Sequence, residues 1–258
     1  MTLTAKSRLK KIIPTEVWEI LRQGYSRIRR FYLDIWYTMN IRQPVEWVRI
    51  FFLIRKIRPT YSMVPPPRLR LLYELSKRIN KEKVIGDIVE CGVYNGGSAA
   101  MMSSAQSFDR KSVRHLWLFD SFEGLPSPTE NDGLYERTHY YKGWCGGSVE
   151  KVHEIFRILD LSREYLHIIK GLFQETFTQE NTKIVNIALL HIDADWYESV
   201  KICLETFYPK VSHGGYVVFD DYNTFSGCKK AVHEYFDKHN LKVKLETRDG
   251  VGVYFKKP

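Results

Sequence analysis

Ile88-Val89-Glu90-Cys91-Gly92-Val93-Tyr94-Asn95-Gly96-Gly97-Ser98 is the stretch on which the architecture turns. Ile88–Cys91 is a short apolar run of strand type, and Gly97–Ser107 reads as a helix. The glycines let the backbone turn sharply between them, with the helix N-terminus open to a negative group. The GxGxxG spacing of dinucleotide sites is not met, because Val93 or Tyr94 stands where the middle glycine would be. A loop of this kind cradles a carboxylate or a phosphate. The alternative is a tight strand-to-helix turn without a ligand.

Outward from this turn the pattern repeats. Leu116–Asp120, Leu166–Lys170, Ile187–Asp193 and Tyr216–Asp220 read as further strands. Leu69–Ile79, Val149–Leu159, Tyr197–Phe207 and Cys228–Lys238 have helical patterns. Such alternation predicts an α/β fold, a mostly parallel sheet with helices on both faces. Leu241–Thr247 and Val251–Lys256 alternate apolar and polar residues around Asp249-Gly250, which predicts a closing antiparallel hairpin at or near a sheet edge.

Ligands in open sheets of this type bind beyond the carboxyl ends of the strands. Asp120 ends the second strand, where a carboxylate accepts hydrogen bonds from ribose hydroxyls or caps the following turn. The fourth strand ends in His191-Ile192-Asp193-Ala194-Asp195 and the fifth in Phe219-Asp220-Asp221. Neighbouring strands would bring Asp193, Asp220 and Asp221 to one rim. Unneutralised, the three would repel one another, and a hard divalent cation such as Mg²⁺ relieves this. Asp195 suits the start of the helix near Tyr197.

The 258 residues carry a net charge of +9. Residues 1–60 contain 13 Lys and Arg against four acids, which accounts for all of it. Val17, Leu21, Tyr25, Ile28, Tyr32 and Ile35 follow helical spacing in this basic, aromatic segment. It suits an anionic membrane surface, or a helix that packs on the body or on a second subunit. No nucleic-acid-binding motif accompanies the charge. No apolar run approaches the roughly 20 residues of a membrane span, nor is there a secretory signal pattern, so a cytoplasmic protein is expected. Cys91, Cys145, Cys203 and Cys228 form no CxxC pair, zinc pattern or disulfide framework. The expected organisation is a helical extension over 1–60 and a catalytic domain over 61–258.

The segments Glu90–Ser98, Phe119-Asp120-Ser121-Phe122-Glu123-Gly124-Leu125-Pro126, His191–Ser199, Gly214-Gly215 through Tyr222, and Gly227–Val232 resemble the macrocin O-methyltransferase family. The resemblance spans roughly residues 61–240. It implies a Rossmann-like class I methyltransferase fold, S-adenosylmethionine as methyl donor, and Mg²⁺ held by Asp193, Asp220 and Asp221. It also implies methylation of a sugar hydroxyl on a glycosylated natural product or glycan. The donor would contact Glu90, Gly92, Tyr94, Asn95, Gly96, Ser98, Asp120, Ser121, Gly171, Phe173, Asp193 and Met63. Asp193 is the first choice of base, followed by His139 and His191. In catechol methyltransferases a lysine follows the first aspartate; here Trp196 and Tyr197 stand there. A phenolic or catechol acceptor is therefore the second expectation. A membrane-surface interaction protein built on a methyltransferase scaffold is the third. Residues between Asp120 and Val149, rich in glycine and aromatics, are expected to form a lid, and a dimer is expected.

Overall fold

A computed structural model describes residues 44–106, 114–180 and 183–258. Met1–Phe52 and Leu53–Pro258 form two compact units. The expected helix over Val17–Ile35 lies outside the described residues. Helix α1 (Pro44–Ile57) begins the described chain, followed by α2 (Pro66–Lys81). Pro66 occupies the first helical turn of α2, where a missing N–H costs nothing.

The sheet then alternates with helices: β1 (Asp87–Cys91), α3 (Gly97–Gln106), β2 (Leu116–Asp120), α4 (Leu134–His139), α5 (Val149–Ile158), β3 (Leu166–Lys170) and α6 (Phe173–Glu180). It continues through β4 (Ile187–Ile192), α7 (Tyr197–Phe207), β5 (Val211–Phe219), α8 (Ser226–Lys238), β6 (Glu246–Thr247) and β7 (Val253–Lys256). Strand order is β3-β2-β1-β4-β5-β7-β6. The first five strands are parallel; β7 pairs antiparallel with both β5 and β6. The chain order reverses between β1 and β4, the switch point where such sheets bind ligands.

The central strands are buried on both faces, as a parallel sheet covered by helices requires. One face packs Phe119, Phe177, Leu204, Phe207, Val232 and Phe255 beneath α6, α7 and α8. On α2 and α3, Leu69, Leu72, Leu75, Ala99 and Met102 are also buried.

Three details depart from the sequence expectations. Strand β5 starts at Val211, five residues early, running through Gly214-Gly215 with a register irregularity opposite Ile187–Leu189. The hairpin is shorter than expected, because only Glu246 and Thr247 pair with β7. The connection after β2, expected as a lid rich in glycine and aromatics, contains a helix that the sequence did not announce. It carries α4, and it is tied down by Trp196 Nε1 donating to the Pro126 carbonyl (2.8 Å) and the Tyr197 amide donating to Asp132 Oδ1 (2.8 Å). Glu136 Oε1 also accepts from the Ser226 amide (2.9 Å). No helix among the described residues is long and apolar enough to cross a membrane.

Candidate active site

The β1 turn closes directly over the end of β4. Gly92 adopts φ +88°, and a Cβ there would lie 1.8 Å from the Asp193 carbonyl oxygen. Only glycine permits that approach. The Asp193 amide in turn donates to the Cys91 carbonyl (2.8 Å), locking the two strand ends together.

Beyond these ends lies a cavity of about 550 Å³. Of the expected donor contacts, Met63, Gly92, Tyr94, Ser98, Asp120, Ser121, Gly171, Phe173 and Asp193 line it. Glu90, Asn95 and Gly96 do not. Glu90 is buried behind the wall against His191. Asn95 is a clamp: its Nδ2 donates to the Thr60 carbonyl (3.0 Å) and its Oδ1 accepts the Ser148 amide (3.1 Å). A Cβ at Gly96 would face Val152 on α5.

Asp120 is held by three backbone amides. Its Oδ2 accepts the amides of Val93 (2.6 Å) and Tyr94 (2.8 Å), and its Oδ1 accepts that of Phe122 (2.7 Å). It therefore shapes the glycine turn and keeps one acceptor position on Oδ1.

Asp193, Asp195, Asp220 and Asp221 all line the same cavity. Burial, then the charges of Asp220 and Asp221, push the Asp193 carboxyl well above the usual range. Burial, then Asp221 and Asp220, do the same to Asp195. Burial, then the charge of Asp220, raises Asp221 to about 7. Asp220 Oδ1 and Asp221 Oδ2 are buried with no hydrogen-bond partner. Buried polar atoms are ordinarily satisfied, so these two orphans point to a missing positive ligand. The donor set is hard carboxylate oxygen, which fits Mg²⁺.

His191 Nδ1 lies 2.9 Å from Glu90 Oε1, and its Nε2 lies 3.7 Å from Asp220 Oδ1. Burial alone would lower its pKa, but Asp220 and Glu90 outweigh this and push it to about 9. Ligand atoms of His191, Asp193 and Asp220 fall within 4.8 Å of one another. Mg²⁺ prefers carboxylate oxygen to imidazole nitrogen, so Asp193, Asp220 and Asp221 are the better match to it along this wall. The other expected base, His139, is exposed, stacks on Tyr135 and contacts the Tyr135 carbonyl, away from the cavity lining.

Two site residues escaped the sequence reading. Asp195 was expected to start a helix. The helix cap is instead Trp196, the Tyr197 amide is satisfied by Asp132, and Asp195 sits at φ +53° with its carboxyl against Asp221. Tyr94 and Cys145 also line the cavity with positive φ, at 53° and 60°. Strained non-glycine backbone gathers where function demands it. Burial, then Asp195 and Asp221, lift the Cys145 thiol to about 12, so it remains protonated and is no nucleophile. The second missed residue is Arg68. It pairs through Nη1 with Asp220 Oδ2 (2.5 Å) and through Nε with Asp249 Oδ2 (2.8 Å).

An aromatic corner completes the wall: Tyr140 packs edge-on against Trp144 (4.8 Å), Trp196 (5.4 Å) and Phe225 (5.4 Å).

Strand order, hairpin and a cavity beyond the parallel strand ends together define a Rossmann-like class I methyltransferase. The family model for macrocin O-methyltransferase (TylF) matches residues 55–257. Demethyldecarbamoylnovobiocin O-methyltransferase of Streptomyces niveus is 34% identical over 200 residues, covering 76% of each chain. A tetracenomycin-C rhamnosyl 4'-O-methyltransferase of Streptomyces olivaceus is 30% identical over 199 residues, covering 76% of this chain and 75% of that one. The solved structure of the O-methyltransferase NovP superposes with a TM-score of 0.70 at 34% identity, over 76% of this chain and 82% of the other. The chain belongs to the macrocin O-methyltransferase family, and it is a methyltransferase.

Proposed function

We propose that this protein transfers a methyl group from S-adenosylmethionine to a sugar hydroxyl of a glycosylated small molecule, with Mg²⁺ as cofactor. The carrying observation is that the glycine turn, the unsatisfied acids and the aromatic corner line one cavity. The sugar is supported by the Streptomyces olivaceus relative, whose name specifies a rhamnosyl-tetracenomycin 4'-O-methylation, and the small-molecule acceptor by the novobiocin-type relative as well.

Asp193, Asp220 and Asp221 would hold the cation. The Gly92 turn, Ser98 and the N-terminus of α3 would receive the carboxylate end of the donor. Asp120 holds that turn in shape and offers its remaining lone pair to ribose. Bound together, the two groups supply an electrophilic methyl and a charge that lowers the pKa of the acceptor hydroxyl.

The proton leaving that hydroxyl goes to Asp195. It lies outside the proposed cation set and takes the place of Asp193, the base first expected; burial and the neighbouring acids raise its pKa, which strengthens it as a proton acceptor. Tyr140 and Trp144 would stack on the apolar face of the sugar and exclude water. In-line positioning of acceptor and donor contributes several kcal/mol, up to roughly 7–11 in ideal intramolecular cases. The same proposal divides the chain into a basic extension (1–60) and a methyltransferase domain (61–258). A cytoplasmic homodimer belongs to the same reading, as do both expectations for the extension, helix packing first and an anionic membrane surface second.

Calorimetry with S-adenosylhomocysteine, followed by turnover with matched glycosylated and catechol acceptors in Mg²⁺ or EDTA, tests the proposal. Donor-product binding and Mg²⁺-dependent turnover of the glycosylated acceptor are expected. Asp195→Asn should keep cation binding and lose about 10²-fold or more in turnover. Absence of donor-product binding, or turnover unaffected by EDTA, would overturn it.

A further inference from the structure

Arg68 stands in the first turn of α2, after Pro66 and Pro67, where a cation opposes the helix dipole. It is only 8% exposed. Burying a guanidinium at an unfavourable helix end requires strong compensation, and the compensation is specific. Besides its two ion pairs, Nη1 donates to the Asp220 backbone carbonyl. Asp249 is itself fixed, because its Oδ1 accepts the amides of Val251 (3.0 Å) and Gly252 (3.1 Å). Gly252 clears the path for Arg68: a Cβ there would lie 2.6 Å from Arg68 Cδ. The closing hairpin is thus wired to the acid wall through one side chain.

Arg68 occupies Asp220 Oδ2, whereas Oδ1 accepts no hydrogen bond and faces the His191 ring, with Nε2 3.7 Å away. Resting on the Mg²⁺ reading above, we propose that Arg68 is a positioning residue that sets cation selectivity. By claiming one oxygen of Asp220, it restricts that carboxylate to single-oxygen ligation. Mg²⁺ needs a compact octahedron and accepts this. Ca²⁺ takes more oxygens and often both oxygens of a carboxylate, so it loses a ligand. The fork geometry is essential, since a lysine presents a point charge that cannot grip Asp220 and Asp249 together.

The test uses the full chain without donor or acceptor. Mn²⁺ binding is followed by electron paramagnetic resonance, and Mg²⁺ and Ca²⁺ are titrated in as competitors. In Arg68→Met the affinity ratio of Ca²⁺ to Mg²⁺ should rise about tenfold, because Asp220 then has both oxygens free. Arg68→Lys should show a smaller rise. Asp249→Asn, which releases only the outer anchor, should rise in the same direction and carries the test if Arg68→Met does not fold. If both affinities increase equally, Arg68 is only a charge, and the proposal is overturned. Equal loss of both ions makes it only a structural residue and overturns it too. If the unaltered protein binds none of the three ions, the Mg²⁺ reading itself falls and takes the selectivity role with it.

Discussion

Asp120 and Asp221 line one cavity and are chemically the same group, yet their surroundings are opposite. Asp120 accepts three backbone amides. Asp221 Oδ2 is buried without a partner and crowded by Asp193, Asp195 and Asp220. The first carboxylate is satisfied by the fold, so the fold needs it. The second is left unsatisfied by the fold, which is why the proposed cation is assigned to it. Position at a strand end does not distinguish the two roles; the hydrogen-bond inventory does.

Exchanging each acid for its amide should separate them. The largest effect belongs to Asp221→Asn. Turnover at saturating donor and acceptor should fall about 10³-fold, in line with losing several kcal/mol of cation-borne stabilisation. Its thermal midpoint without Mg²⁺ should hold or rise, because a repulsive charge is gone. An unchanged rate with a lower midpoint would invert the assignment.

Asp120→Asn should behave oppositely. Its amide NH₂ would face backbone N–H groups, costing about 2 kcal/mol and lowering the midpoint by roughly 4–8 °C. Scanning calorimetry reads the midpoint, and titration with S-adenosylhomocysteine should show weaker donor-product binding while Mn²⁺ affinity stays near that of the unaltered protein. Loss of Mn²⁺ binding in this variant would erase the contrast.

A further effect is in pH. The folded Asp221 carboxyl is raised to about 7 from an unfolded value near 3.9. The fold therefore binds that proton more tightly than the unfolded chain. The associated stability is complete below about pH 4 and is lost as pH rises through 7. Without Mg²⁺, the midpoint of the unaltered protein should drop relative to Asp221→Asn across that window. Millimolar Mg²⁺ should reverse the difference at pH 8, because a bound cation favours the carboxylate. A pH-independent difference would mean the acids are not crowded in solution.

Much of this wall was legible in the sequence. Apolar runs ending in acids predicted strands, and the switch-point rule brought Asp193, Asp220 and Asp221 to one rim. The less regular parts were not legible. Leu134–His139 is a six-residue helix with a single buried residue, Glu136, so it has no apolar stripe to read. Phe173–Glu180 is polar and rich in threonine, glutamine and glutamate, and its helix depends on Phe173 and Phe177 stacking (4.9 Å) beneath the sheet. Asp195 resembles a helix start because its positive φ is a property of the folded turn, not of its neighbours in sequence. Arg68 was hidden because its partners, Asp220 and Asp249, lie more than 150 residues away. Its one local sign was a cation in a first helical turn.

The most direct measurement is anomalous diffraction from crystals of the full chain grown with S-adenosylhomocysteine and Mn²⁺. A single Mn²⁺ peak is predicted within ligand distance of Asp193, Asp220 Oδ1 and Asp221 Oδ2, beside product bound along the Gly92 turn. No peak among those oxygens, or a side chain of the protein filling that place, would contradict the account.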